Sequence, residues 1–264
     1  MGAKLGADGA TIIAIANQKG GVGKTVTVVQ LASGLARAGF KVLAVDGDPQ
    51  GNLSLFFGWT EGRDFGDLVA AAAAGGEPKA SDYIAPRVRK GLDLLPTRRR
   101  NLRRELSDAD FDRASPAVSL SFASLKDRYD WIILDCSPSS GALERLLLRS
   151  SEAVIVPLEF QLFSVAGLEA ILAEVAACAE ESRKDLKVHS LVFTKAENRL
   201  ARVTLYRELF SSYHIPIYEI CKSEYLPRSL EKSRTIWECA PSSFAARDYA
   251  RLIERAFMES PDDR

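Results

Sequence analysis

The chain is poor in the residues that mark secreted, metal-binding or membrane proteins. Its four cysteines, Cys136, Cys178, Cys221 and Cys239, are far apart and form no Cys-x-x-Cys pair. That argues against both a disulfide framework and a zinc site, and it fits a reducing, cytoplasmic setting. The two histidines, His189 and His214, read as ordinary strand or loop residues and are given no role. No apolar run approaches the roughly 18 residues a membrane span needs, and residues 1–10 lack the charged-then-apolar form of an export leader. Charge of one sign is missing as well: 35 basic residues meet 35 acidic ones, for a formal net charge of zero. Any contact with nucleic acid must then come from a local patch, because the molecule offers no bulk attraction.

What is present is a glycine-rich turn between an apolar run, residues 11–16, and a helical pattern over 26–38. It reads Asn17-Gln-Lys19-Gly20-Gly21-Val22-Gly23-Lys24-Thr25. A strand that stops at such a turn and restarts as a helix leaves free backbone N–H groups at the helix N-terminus, where the macrodipole favours an anion. Glycines let the backbone approach phosphate oxygens closely. Lys24 is placed to reach the β- and γ-phosphates of a nucleotide, and the Thr25 hydroxyl to ligate a bridging Mg²⁺. The cradle therefore comprises Gly20, Gly21, Val22, Gly23, Lys24, Thr25 and Val26, beside Lys19. One departure from the ordinary Gly-x-x-x-x-Gly-Lys-Thr spacing stands out: Gln18 holds the first glycine's place, and Lys19 follows it.

Further strands follow at a regular rhythm. Residues 41–45 form an apolar run ending in Asp46-Gly-Asp48-Pro-Gln-Gly-Asn52, and a second run ends at Asp135 in Tyr129-Asp-Trp-Ile-Ile-Leu-Asp135. Strands are also expected at 92–95, 152–157, 188–194 and 216–220, with helices at 165–179 and 243–258 and short helices within 53–76. This alternation predicts an α/β protein with a mainly parallel twisted sheet covered by helices on both faces. The length suits one domain over 1–264, with residues 1–10 as an N-terminal extension and 259–264 as a tail.

The string from Lys19 to Thr25 resembles the deviant Walker A motif of the ParA/MinD family of P-loop ATPases, and Asp46 to Asn52 resembles that family's Asp-x-Asp-Pro-Gln-Gly-Asn signature. Asp135-Cys-Ser-Pro-Ser139 resembles its Walker B segment, with Ser137 where proline is usual. The resemblance implies ATP and Mg²⁺ as cofactors and hydrolysis to ADP and phosphate. It gives Asp48 the attacking water, Asp46 a supporting place near the metal, and Asp135 a metal-bound water. It also implies an ATP-sandwich homodimer, in which Lys19 of each subunit reaches the other's nucleotide in the manner of an arginine finger. Residues 221–228 lie where relatives contact adenine but do not carry their string, so no residue is assigned to the base.

For function, the resemblance points to the ParA branch. An ATPase of that branch binds DNA non-specifically and segregates plasmid or chromosome, its hydrolysis stimulated by a ParB-like partner. An alternative is a related ATPase that positions a protein cargo on the nucleoid. A reductase on this fold needs paired cysteines for a cluster, and a biosynthetic synthetase leaves Lys19 unexplained. The final helix places Arg247, Arg251 and Arg255 four residues apart on one face, which is either a contact for DNA phosphates or a solvated face with local ion pairs. Residues Arg98 to Arg104, on an expected helix, form a second basic cluster that reads as a DNA-facing patch, a partner surface or a solvated helix face. The acidic, proline-broken tail lacks an amphipathic membrane anchor, and ten residues before the first strand leave no room for an operator-binding domain. The location expected is cytoplasmic and nucleoid-associated.

Overall fold

The structure, a computed structural model, describes residues 9–99, 106–138, 141–161, 164–196 and 200–258, with side chains from 204 onward in the last stretch. Eight strands form one sheet in the order β3-β4-β2-β5-β1-β6-β7-β8. They are β1 (Thr11–Ile15), β2 (Val42–Gly47), β3 (Ala85–Arg89), β4 (Leu92–Leu95), β5 (Trp131–Cys136), β6 (Ala153–Glu159), β7 (Lys187–Ala196) and β8 (Ile217–Cys221). All neighbours pair in parallel except β3, which runs antiparallel to β4. The expected fold class is therefore the observed one. β3 was not anticipated from the sequence. It is an edge strand whose Pro86 and Arg87 are exposed, and such residues blunt an edge against further pairing while hiding the alternation that would reveal a strand.

The central strands are apolar throughout because both faces are covered. Alternate side chains of β1 go to opposite cores: Ile12 and Ala14 to one, Ile13 and Ile15 to the other. β5 does the same with Ile132, Leu134 and Cys136 against Trp131 and Ile133, as the period of two requires. The first core is closed by α3 (Phe65–Ala73), α4 (Asp108–Ala123), α5 (Ala142–Arg149), α6 (Ser164–Ser182) and α7 (Leu200–Ser211). The second is closed by α1 (Lys24–Arg37), α2 (Asn52–Phe56) and α10 (Phe244–Ile253). The alanine run is a tight contact on one side: Val69, Ala72 and Ala73 are buried while Ala70 and Ala74 face solvent.

Three expectations about local structure change. Arg98 and Arg99 lie outside any helix, and the next helix among the described residues starts at Asp108. Arg98 is tied to Asp64, whose carboxylate accepts its backbone N–H at 2.9 Å. The rest of that cluster lies outside the described residues. The 221–228 stretch is not all loop, because α8 (Tyr225–Glu231) begins within it; α9 (Ile236–Cys239) follows. The last helix is α-helical only to Ile253 and continues as a π-helical turn, Glu254–Met258. That wider turn carries Arg255 off the line expected from Arg247 and Arg251.

Gly47, at the end of β2, shows how tightly the strand ends pack. A Cβ there would lie 2.3 Å from the Leu147 Cδ1 and 2.8 Å from the Asp135 carbonyl oxygen. The leucine could move, but the carbonyl belongs to the neighbouring strand. Gly47→Ala is therefore expected to destabilise the fold by about 1–3 kcal/mol, read as a lowered denaturation midpoint in urea with an unchanged slope.

Candidate nucleotide-binding site

The carboxyl ends of β1, β2 and β5 lie side by side, with Ile15 opposite Asp135 and Asp46 opposite Asp135 in register. This gathers three distant sequence segments at one end of the sheet, where ligands bind in open α/β folds. The turn after β1 is fastened at its start by Asn17, whose side-chain amide donates to the Pro157 carbonyl at 2.7 Å and whose Oδ1 accepts the Lys19 N–H at 2.8 Å. Gly21 and Gly23 have φ of 76° and 88°, left-handed values that side chains rarely adopt. Gly23 is the residue before α1, so the first N–H groups of that helix have no side-chain cap and remain for a ligand.

Lys24 is buried, and its ammonium donates to the carbonyls of Asn17 at 2.8 Å and Lys19 at 3.1 Å. Burial lowers its pKa, against the opposing pull of Asp135, Cys136, Asp48 and Glu144. Asp135 is fully buried, and neither carboxylate oxygen has a hydrogen-bond partner among the described residues. Burial, and next the Asp46 carboxylate, push its pKa well above the ordinary range, against the pull of the Thr25 hydroxyl and of Lys24. An orphaned carboxylate of this kind either keeps a proton or takes a cation. No cluster of three or more His, Cys, Asp or Glu side chains forms a metal cage among the described residues. Mg²⁺ does not need one, because it takes one or two protein oxygens and fills its remaining positions with phosphate and water. The Thr25 hydroxyl and Asp135 fit that donor set.

Asp46 and Asp48 divide into two kinds. Asp46 is fully buried, and one oxygen accepts both the Ser54 N–H at 2.8 Å and the Ser54 hydroxyl at 2.6 Å; the other faces the Asp48 N–H at 3.3 Å. Burial raises its pKa to about 7 despite those bonds. With both oxygens engaged, Asp46 holds the loop in place. Asp48 is 8 % exposed, and one oxygen accepts the Gln50 N–H at 2.9 Å.

Lys19 is exposed, and its ammonium donates to the Gln161 Oε1 of its own chain at 2.7 Å. Gln161 in turn donates to Glu159, whose other oxygen meets Lys195, and Lys195 reaches the Gly21 carbonyl at 3.0 Å. This chain of contacts braces the outer wall of the turn. Farther along the same end of the sheet, a cleft of about 550 Å³ opens where β7 and β8 finish, lined by Ala196, Cys221, Phe244, Asp248 and Arg251 among others. Phe244 is 73 % exposed. Arg247, Arg251 and Arg255 are all exposed; Arg247 lies over the Phe244 ring and Arg251 is 3.9 Å from Asp248.

Sequence reasoning missed Asn17, the Glu159–Gln161–Lys195 brace and Glu144. The last of these had a visible signal, being an acid inside the apolar stretch Ala142-Leu-Glu-Arg-Leu-Leu-Leu148. It is buried with no partner for either oxygen among the described residues. Burial, and then Glu174, raise its pKa from 4.5 to about 8, with Lys24 and Arg145 opposing.

A nucleotide cradle of this type on a parallel sheet defines a P-loop nucleotide-binding protein. A family model described as "AAA domain" matches residues 10–188. The chromosome-partitioning ATPase Soj of Thermus thermophilus is 31 % identical over 245 residues, 92 % of this chain and 93 % of the relative. Apo McdA of Cyanothece superposes with a TM-score of 0.80 at 18 % identity, over 94 % of this chain and 99 % of that one. MinD of Pyrococcus horikoshii, in complex with Mg-ADP, gives 0.75 at 22 %, over 93 % and 95 %. The chain belongs to the ParA/MinD family of P-loop ATPases. Among the described residues no helix is long and apolar enough to cross a membrane.

Glu144 gives a pH dependence with a definite sign. Between about 4.5 and 8 the folded protein keeps a proton that the unfolded chain releases. Stability is therefore full below that window and falls as pH rises through it, by at most about 1.4 kcal/mol per pH unit. Glu144→Gln is expected to flatten this decline in urea titrations taken across the window and to be the more stable variant at its upper end.

Proposed function

We propose that the protein is a ParA-type ATPase whose nucleotide state controls pairing with a second copy and non-specific binding to DNA. In this reading a ParB-like partner stimulates hydrolysis, and the load is plasmid or chromosomal DNA. The observation that carries it is the convergence of Lys24, Thr25, Asp48 and Asp135 at the ends of β1, β2 and β5. The partitioning relative named above supports the choice of DNA as cargo.

In this reading the turn from Gly20 to Val26 binds the phosphates through its backbone N–H groups, and Lys24 leaves its two carbonyls for the β- and γ-phosphates. Thr25 and Asp135 hold the Mg²⁺, which neutralises charge on the phosphates. Asp48 orients the attacking water, since its carboxylate sits at the rim of the cluster with one oxygen still open, while Asp46 positions the loop that carries it. The base lies toward the cleft at the ends of β7 and β8. Lys19 exchanges Gln161 for the nucleotide of the opposite subunit, and Arg247, Arg251 and Arg255 contact DNA phosphates.

Asp48→Ala is expected to bind ATP and pair as the wild type does, yet to lose at least tenfold in turnover; phosphate release at saturating ATP measures this, and normal turnover removes Asp48 from the mechanism. Lys19→Ala is expected to bind ATP as a monomer and to lose ATP-dependent pairing. Light scattering with a non-hydrolysable ATP analogue decides the point, and an unaltered dimer with full hydrolysis rejects the trans role.

A further inference from the structure

The end of the molecule away from the P-loop carries a concentration of positive charge that the nucleotide chemistry does not use. We propose that Arg37, Arg87, Arg89, Lys90, Lys232 and Arg234 form a docking face for the phosphate backbone of duplex DNA, separate from the stripe on α10. The inference rests on the DNA-binding reading above and gives that reading a second contact surface.

Three elements distant in sequence meet to build the face. The turn between β3 and β4 presses on the end of α1, where a Cβ on Gly91 would lie 3.2 Å from the Phe40 carbonyl oxygen and 3.4 Å from that of Ala36. The hairpin is joined to the loop after α8 by Arg89, whose guanidinium donates to the Ser233 carbonyl at 2.9 Å. α1 is joined to α9 by Arg37, 5.8 Å above the Trp237 ring. Arg37, Arg87, Lys90, Lys232 and Arg234 are exposed and Arg89 half-buried. Two residues of the face, Arg87 and Ser233, hold φ of 55° and 50°, a strained backbone of the kind that persists where surrounding structure enforces it and that clusters at functional sites.

The charges are also held out of ion pairs. No ion pair involves any of these six side chains among the described residues. The acids nearby are mostly committed: Asp93 accepts the Arg87 N–H at 2.7 Å and the Tyr129 hydroxyl at 2.8 Å, and Glu238 caps α9 through the Thr235 N–H at 2.6 Å. Glu231 is the exception, exposed beside Lys232. Protein partners usually anchor on apolar groups at the centre of an interface. Here the aromatic rings are already covered by cations, Trp237 by Arg37 and Phe57 by Arg89 at 5.7 Å. A surface of fixed arginines and lysines with no open apolar anchor suits a ligand that offers repeated phosphates and no side chains.

The test uses the full chain with a non-hydrolysable ATP analogue and a fluorescent duplex of arbitrary sequence, its binding followed by anisotropy over a range of salt. The variant Arg87→Ala/Lys90→Ala/Lys232→Ala/Arg234→Ala leaves intact the two arginines that hold the face together. Its affinity is expected to fall at least tenfold, and the slope of log K against log salt to shrink by about 3. An unchanged thermal midpoint shows that the variant folds, and Arg87→Lys/Arg234→Lys is expected to keep the wild-type slope. If the wild type binds duplex and the fourfold variant matches it in affinity and slope, the face is overturned while the DNA reading stands. Loss in an Arg247→Glu/Arg251→Glu/Arg255→Glu variant alone assigns DNA to the stripe and overturns the face. If the wild type binds no duplex, both readings fall; if instead it binds polyglutamate through these residues, the face serves an acidic protein.

Discussion

The site depends on one buried ammonium, that of Lys24, held by two backbone carbonyls within reach of Asp135, Asp48 and Glu144. Acids outnumber cations in this interior, and burial raises the pKa of Asp135 well above the ordinary carboxylate range, that of Glu144 to about 8 and that of Asp46 to about 7. A divalent cation would reverse that state, because it stabilises the charged form of the carboxylate nearest to it. On the proposed function, protons and a divalent cation would compete for this one small volume, and a bound triphosphate would offer Lys24 an alternative to its two carbonyls. The burial that makes this costly is imposed by the sheet, whose central strands are covered on both faces.

Much of this was legible in the order of the residues. The turn from Lys19 to Thr25, the two aspartates at the end of β2 and the aspartate near the end of β5 each stand at a strand end, and a parallel sheet brings strand ends together whatever the loops between them do. What stayed hidden was set by contacts across long sequence distances. Asn17 gains its meaning only from the Pro157 carbonyl, 140 residues away, and Lys19 its resting partner from Gln161, 142 residues away. β3 escaped because an exposed edge strand with Pro86 and Arg87 has no apolar alternation to read. Arg98 and Arg99 lie outside any helix because the Arg98 N–H goes to Asp64, 34 residues away, a partner no local pattern reveals.

The two aspartates of the second motif show how identical side chains acquire different work. Asp46 lies inside the strand end, and both its carboxylate oxygens are engaged: Ser54 binds one and the Asp48 N–H faces the other, while the Thr97 hydroxyl donates to its carbonyl at 2.5 Å. A carboxylate so satisfied is a fixture. Asp48, two residues on, stands at the rim, with one oxygen given to the Gln50 N–H and the other still available. Chemistry on water requires such an open oxygen, so the roles proposed above for the two aspartates follow from where the strand stops.

A net charge of zero conceals this arrangement rather than arguing against it. The acids gather in the interior at one end of the sheet, and a group of unpaired cations gathers on the surface at the other. α1 joins the two ends. Its N-terminus opens at the uncapped glycine turn, and its C-terminus carries Arg37 beside Trp237; its 14 residues make a rod of about 21 Å at the usual rise. Along its length it is keyed to α10, with the Thr27 hydroxyl 3.4 Å from that of Tyr249. At Gly34 the fit is so close that a Cβ would lie 2.2 Å from Ile253 and 2.6 Å from Trp237. On the proposed function, a triphosphate that shifted the helix N-terminus would press on Ile253 of α10 and Trp237 of α9 through this contact, since close-packed interfaces transmit strain.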